Sequence, residues 1–244
     1  LSTNFYIESG DTEKAIEALD KSKANTDDAD VKENNTIKII GLKLEKKDYK
    51  DMEKYLGEIA DPEERAYYSA QYYAQKKDPK LVKEFETLLK SEKYKAYASK
   101  ALGDYYFDKN DLAKSKKYYG THVSVNKNPD EYVLYRLGQA NEKENNLKMA
   151  LTDYKLVYEK KGKLAEDAML RAAEIYDRQE NNVEAEKLFT KLYATKGNKD
   201  LKAYSIEKLI YYKLLNEKTK EAKKYYDELK KLDAKRAEKF KAYF

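Results

Sequence analysis

The chain has 244 residues, 41% of them hydrophobic and 39% charged, with a net charge of +5. Such charge would suit disorder, but 25 tyrosines and evenly spaced aliphatics supply area to bury, which argues against it. With no cysteine, the chain excludes disulfides, thiolate metal sites and thiol catalysis, and eight glycines and three prolines are too few for a turn-rich β fold.

Read from its start, the chain opens inside a helical hairpin. Tyr6 ends one helix, Ser9-Gly10-Asp11 turns, and Ala15-Ile16-Ala18-Leu19 begins the next. Because Leu1 is not an initiator methionine, further chain is expected to precede it in the natural protein. Residues 24–35, rich in Asn and Asp, read as a polar connection. A second unit runs from Ile37-Ile40-Gly41-Leu44 through Lys47-Asp48 to Met52-Tyr55-Leu56-Ile59, and stops at Asp61-Pro62. A third runs from Ala66-Tyr67-Ala70-Tyr73 through Asp78-Pro79 to Val82-Phe85-Leu88-Leu89.

Residues 96–129 give the clearest unit. Tyr97 to Asp108 has helical spacing, with Ser99, Leu102, Gly103 and Tyr106 on one stripe. Lys109-Asn110-Asp111 is a short turn, and Leu112 to about Val123 forms a second helix with Leu112, Ser115 and Tyr119 on its stripe. The pattern then recurs. Leu102, Leu137, Ala172 and Leu209 open equivalent segments at intervals of 35, 35 and 37 residues. Thirteen residues beyond each stand Ser115, Ala150, Ala185 and Ala222, and four further on Tyr119, Tyr154, Phe189 and Tyr226. A last helix is expected around Ala234–Phe244, with Ala237, Phe240 and Phe244 inward and Lys235, Arg236, Lys239 and Lys241 outward, as a cap requires.

These landmarks carry a family resemblance. Leu-Gly, then Tyr, then a small residue, then an aromatic, in units of about 34 residues, resembles the tetratricopeptide repeat. The family's usual tryptophan is replaced by Ser99, Leu134, Met169 and Ile206, and the glycine by Ala173 and Ile210 in two units. The resemblance implies an all-α, right-handed solenoid of about seven stacked hairpins plus a C-terminal capping helix. Residues 1–95 would be degenerate repeats, 96–232 four clear ones and 233–244 the cap. The lysine-, asparagine- and tyrosine-rich composition resembles that of AT-rich bacterial genomes. The alternative expectation is a structural or assembly role in a bacterial cell envelope, with a periplasmic or otherwise cytoplasmic location.

The resemblance also implies a concave groove lined by the first helix of each hairpin, which binds a protein or peptide. Off the packing stripe, the corresponding positions are Tyr97, Lys100, Asp104 and Phe107, then Tyr132, Tyr135, Arg136, Gln139 and Lys143. Asp167, Leu170, Arg171, Glu174 and Arg178 follow, and then Tyr204, Glu207, Lys208 and Tyr211. Aromatics beside Arg and Lys suit peptide or helix recognition. Some relatives clamp a peptide carboxylate with lysine and asparagine; here Asp104 one turn after Lys100, with Gln139 in the next unit, argues against that use. The six tyrosine doublets, such as Tyr118-Tyr119 and Tyr211-Tyr212, are expected to serve mainly in packing.

An enzyme is not expected, nor a cofactor or metal. His122 is the only histidine, carboxylates alternate with lysines as on a solvated helix face, and phosphate-binding, dinucleotide and nucleophile-elbow motifs are missing. The 35-residue spacing also fits the RNA-binding pentatricopeptide family. Its base-reading positions show no regular polar pattern here, and a mixed +5 charge is modest, so nucleic acid is not expected. Charge is nonetheless uneven: residues 1–35 carry 4 basic and 9 acidic side chains, residues 201–244 carry 13 and 7.

Overall fold

The computed structural model describes residues 3–196 and 198–244. The expectation concerning Leu1 lies outside them. The described residues form helices joined by short connections, with no strand among them, arranged as seven helical hairpins and a short C-terminal segment. The chain divides into two compact units, the first running to Asn126 and the second spanning Lys127–Phe244.

The first unit holds four hairpins: α1 (Thr3–Glu8) with α2 (Thr12–Ala24), α3 (Ala29–Lys46) with α4 (Met52–Gly57), α5 (Pro62–Gln75) with α6 (Leu81–Leu88), and α7 (Lys95–Asp108) with α8 (Leu112–Val125). Residues 29–35, expected in a connection, instead form the first two turns of α3. The Asp28 carboxylate accepts the Asp30 and Val31 amides and starts the helix early. The Asn35 side chain, at the end of that expected connection, is buried and donates to Ser22 Oγ at 3.0 Å. One apolar cluster joins Leu19, Ile39, Ile40, Met52 and Leu56, and another joins Ala66, Phe85, Leu88, Ala98 and Leu102. His122 is buried, its Nδ1–H donating to the Ala96 carbonyl at 2.8 Å, so the ring ties α8 to α7.

The second unit holds three hairpins: α9 (Glu131–Lys143) with α10 (Leu147–Glu159), α11 (Ala165–Arg178) with α12 (Asn182–Tyr193), and α13 (Lys199–Leu215) with α14 (Thr219–Leu232). The expected capping helix is α-helical only over α15 (Ala234–Ala237) and continues as a 3-10 turn over Glu238–Tyr243. Ala237 is buried, Phe240 packs on the terminal cluster of Ile206, Ile210, Tyr226 and Leu229, and Phe244 stacks on Tyr226 with ring centroids 4.9 Å apart. Arg236 and Lys239 do not simply face solvent, because Arg236 on α15 and Lys239 at the start of the 3-10 turn both reach the carboxylate of Glu207.

Two local devices repeat. Each hairpin turn contains a residue in the left-handed region, Gly10, Lys47, Lys77, Asn110, Asn145, Glu180 or Glu217, with φ between 54° and 75°, and the turn between α3 and α4 has a second at Asp51, φ 57°. At Asn110, for example, its amide donates to the Phe107 carbonyl and that of Asp111 to the Tyr106 carbonyl, both at 2.9 Å, closing the helix end. Asp111 then caps α8 through the Lys114 amide, as Asn146 caps α10 and Asn181 caps α12.

The second device is a tyrosine hydroxyl given to a carboxylate on another helix. Tyr55 donates to Asp20 at 2.9 Å, Tyr118 to Glu86 at 3.2 Å, Tyr154 to Glu142 at 2.8 Å and Tyr193 to Glu228 at 2.8 Å. Burial, and then the neighbouring carboxylate, pushes the Tyr55 and Tyr118 hydroxyls up to about 12. At pH 7 these groups are therefore fixed hydrogen-bond donors.

Candidate functional site

The predicted groove residues of α7 are mostly engaged in packing. Tyr97 lies edge-on to Phe85 at 5.7 Å and tilted against Tyr67 at 5.6 Å. Asp104 accepts the Tyr119 hydroxyl at 2.5 Å. Phe107, expected to line a groove, is buried, because it stands one turn beyond Gly103 on the buried face of α7. Lys100 is half-buried.

On α9, the Tyr132 hydroxyl accepts Arg136 Nε–H at 2.9 Å, while Tyr135 leans on Tyr154 with Arg171 of α11 beside it. Gln139, Leu170 and Glu174 are half-buried, and Lys143 and Asp167 are exposed. Arg178 reaches from α11 to Glu142 at 2.6 Å, the same carboxylate that receives the Tyr154 hydroxyl.

Five of the predicted residues converge. Arg178, Tyr204, Glu207, Lys208 and Tyr211 line one cleft of about 850 Å³, between the end of α11, the exposed side of α13 and the C-terminal turn. Asp177, Glu180, Asn182, Leu215, Lys239 and Phe240 complete it; these were not predicted, because they come from helix ends and from the cap rather than from mid-helix positions. Tyr211 and Leu215 are 50% and 52% exposed, with Phe240 half-buried nearby, so the cleft has an apolar side.

Its charges are already partly matched. Lys208 bonds Asp177 at 2.5 Å, and Asp177 also accepts the Tyr212 hydroxyl. Burial pulls the Lys208 ammonium down, but the hydrogen bond to Asp177 and nearby negative groups outweigh it, leaving its pKa raised. Burial raises Tyr204 as well. Glu207, expected to face the groove, is only 6% exposed: Arg236 Nη1 holds it at 2.8 Å and Lys239 holds its other oxygen. It therefore anchors the cap, while Tyr204, Lys208, Tyr211 and Leu215 remain for contact.

Among the described residues, no group of three or more His, Asp or Glu side chains has metal-binding geometry. No helix among them is long and apolar enough to cross a membrane.

No family sequence model and no curated protein matches the chain in sequence. Solved structures match its fold. The C-terminal part of a TPR repeat-containing protein from Cytophaga hutchinsonii superposes with a TM-score of 0.72 at 20% identity, covering 96% of each chain. A crystal structure of the MamA protein gives 0.54 at 16% identity over 75% of this chain and 97% of that one. PilF of Pseudomonas aeruginosa gives 0.52 at 16% identity, over 88% and 98%. Paired helices, 35-residue landmarks and these superpositions agree: the chain has the tetratricopeptide-repeat fold.

Proposed function

We infer that the chain is a non-enzymatic interaction scaffold, and that the cleft beside α13 seats a peptide or short helix from a protein partner. The observation that carries this reading is the convergence of Tyr204, Tyr211, Leu215 and Phe240 with the charged ends of Arg178 and Lys208 in one open cleft. Large aromatic area with few rotors, bordered by charge, is the composition of interface anchors. A helix presenting apolar residues one turn apart would meet Tyr211 and Leu215, which lie one turn apart on α13.

The test is a peptide array probed with the folded chain, followed by titration of the retained peptides against Tyr211→Ala with Leu215→Ala. Both side chains are half-exposed, so the fold should tolerate their loss. Affinity is expected to fall by about tenfold or more, as for truncation of interface anchors. Undiminished binding by the double variant would refute this cleft as the seat.

A further inference from the structure

We propose that the second unit carries another docking groove, on the side of α10 and α12, which takes an acidic peptide segment with an apolar side chain. Three observations converge there.

The first is shape. A cleft of about 570 Å³ lies between α10 and α12, with Met169 and Tyr176 of α11 among its lining. A smaller one of about 410 Å³ shares Lys155 and Tyr176 with it and extends toward Lys148. Through these two shared residues the clefts adjoin as one trough, running from Lys191 of α12 to Lys148 at the start of α10.

The second is charge. Lys148, Lys155, Lys161, Lys187 and Lys191 line the trough, against Glu159 and Glu184. Lys155 meets Glu159 only at 3.8 Å and Lys187 meets Glu184 at 3.7 Å, with both pairs well exposed, so neither neutralises its lysine strongly. Lys148, Lys161 and Lys191 make no ion pair among the described residues. The surplus is positive and unmatched.

The third is hydrogen bonding. Across this chain, tyrosine hydroxyls on buried or half-buried rings are repeatedly given to carboxylates of other helices, as Tyr154 is to Glu142 and Tyr193 to Glu228. Tyr158 and Tyr176 sit half-buried in the trough, and their hydroxyls have no such partner among the described residues. Carboxylates from a docked segment would complete the pattern, each held by a tyrosine hydroxyl and a lysine ammonium. Met169, half-buried, and Leu188 at the floor offer a seat for one apolar side chain between them.

A nucleic acid is a poorer match. Its backbone carries charge at every nucleotide and would confront Glu159 and Glu184, whereas a peptide can place uncharged residues opposite them.

The experiment is fluorescence anisotropy of a labelled Asp/Glu peptide with a central leucine, against the same peptide with Lys replacing its acids, and against a uridine oligonucleotide. The acidic peptide is expected to bind saturably and weaken with salt, and the lysine peptide not to bind. Lys187→Glu with Lys191→Glu, both on the exposed side of α12, should weaken it by about tenfold, and Lys148→Glu should act in the same direction. Tyr176→Phe should also weaken it, which a merely diffuse positive surface would not show. Tyr211→Ala with Leu215→Ala should leave it unchanged, separating this groove from the α13 cleft. Absence of saturable binding, equal binding by the charge-reversed variants, or tighter binding of the oligonucleotide would overturn the proposal.

Discussion

Gly103 and Tyr119 are packed so closely that a Cβ on the glycine would lie 2.3 Å from the tyrosine ring. Ring and glycine belong to the two helices of one hairpin, and Tyr119 is fully buried. Gly138 stands in the same relation to Tyr154, at 2.6 Å. Gly103→Ala should therefore destabilise the chain by about 1–3 kcal/mol, the range for overpacking a filled core. Gly41→Ala is the contrast: it is mid-helix with nothing within 4 Å of the added Cβ, and should stabilise by about 0.5–1 kcal/mol. Urea unfolding of the two variants reads both signs. A stabilised Gly103→Ala would show that the ring can step aside.

The left-handed turns predict a second effect. Lys77 holds φ 55° at the turn between α5 and α6 and is exposed, so its side chain is strained without compensating contacts. Lys77→Gly should raise stability by about 0.5–1 kcal/mol, and Asn110→Gly by less, since asparagine tolerates this region. Gly10→Ala, at φ 75°, should do the opposite. Shifts in the thermal midpoint check all three.

The packing of the repeat was legible in the sequence, and the starts and ends of several helices were not. Gly103, Ser115 and Tyr119 were legible because a close helix crossing demands small residues opposite a large ring, and that demand repeats in sequence. The early start of α3 was not legible: its first turns are polar and resemble a linker, and only the capping geometry of Asp28 decides for helix. In the α13 cleft, Tyr204, Lys208 and Tyr211 follow from helical phase. Lys239, Phe240 and Leu215 do not, because they are brought there by the 3-10 turn and a helix end, which have no period. For the same reason Glu207 read as a surface residue although the cap covers it.

Asp153 makes stability depend on pH. It is buried on α10 with the Asn141 amide donating at 2.8 Å, and burial raises its carboxyl to about 6 despite that bond. A folded-state pKa above the unfolded one means the folded chain holds an extra proton between about pH 4 and 6. The contribution of this group to stability is thus greatest in acid and is lost as pH rises through about 6. Asp153→Asn removes the buried charge and should stabilise by on the order of 2 kcal/mol at pH 7, with little effect at pH 4. Parallel unfolding curves for the two proteins across that range test it; a pH-independent difference would reject the mechanism. Comparing variant with parent matters, because Glu64, held below the usual carboxylate range by Lys93 and Tyr94, pulls the other way in the parent.

The last prediction concerns how the C-terminal turn is held. Glu207 is almost fully covered, and its carboxylate is satisfied by Arg236 and Lys239 alone among the described side chains. A buried carboxylate deprived of its cations costs far more than the exposed ends of those cations would gain in water. Arg236→Ala should therefore destabilise by about 1–3 kcal/mol, and the further change Lys239→Ala should add to it. Adding Glu207→Gln to the Arg236→Ala, Lys239→Ala background removes the stranded charge and should restore part of the loss. In a double-mutant cycle this appears as a coupling between positions 207 and 236 of about 1 kcal/mol or more. If the losses are additive, Glu207 is not held by these cations, and packing of Ala237 and Phe240 on Ile206, Ile210 and Leu229 alone must keep the turn in place.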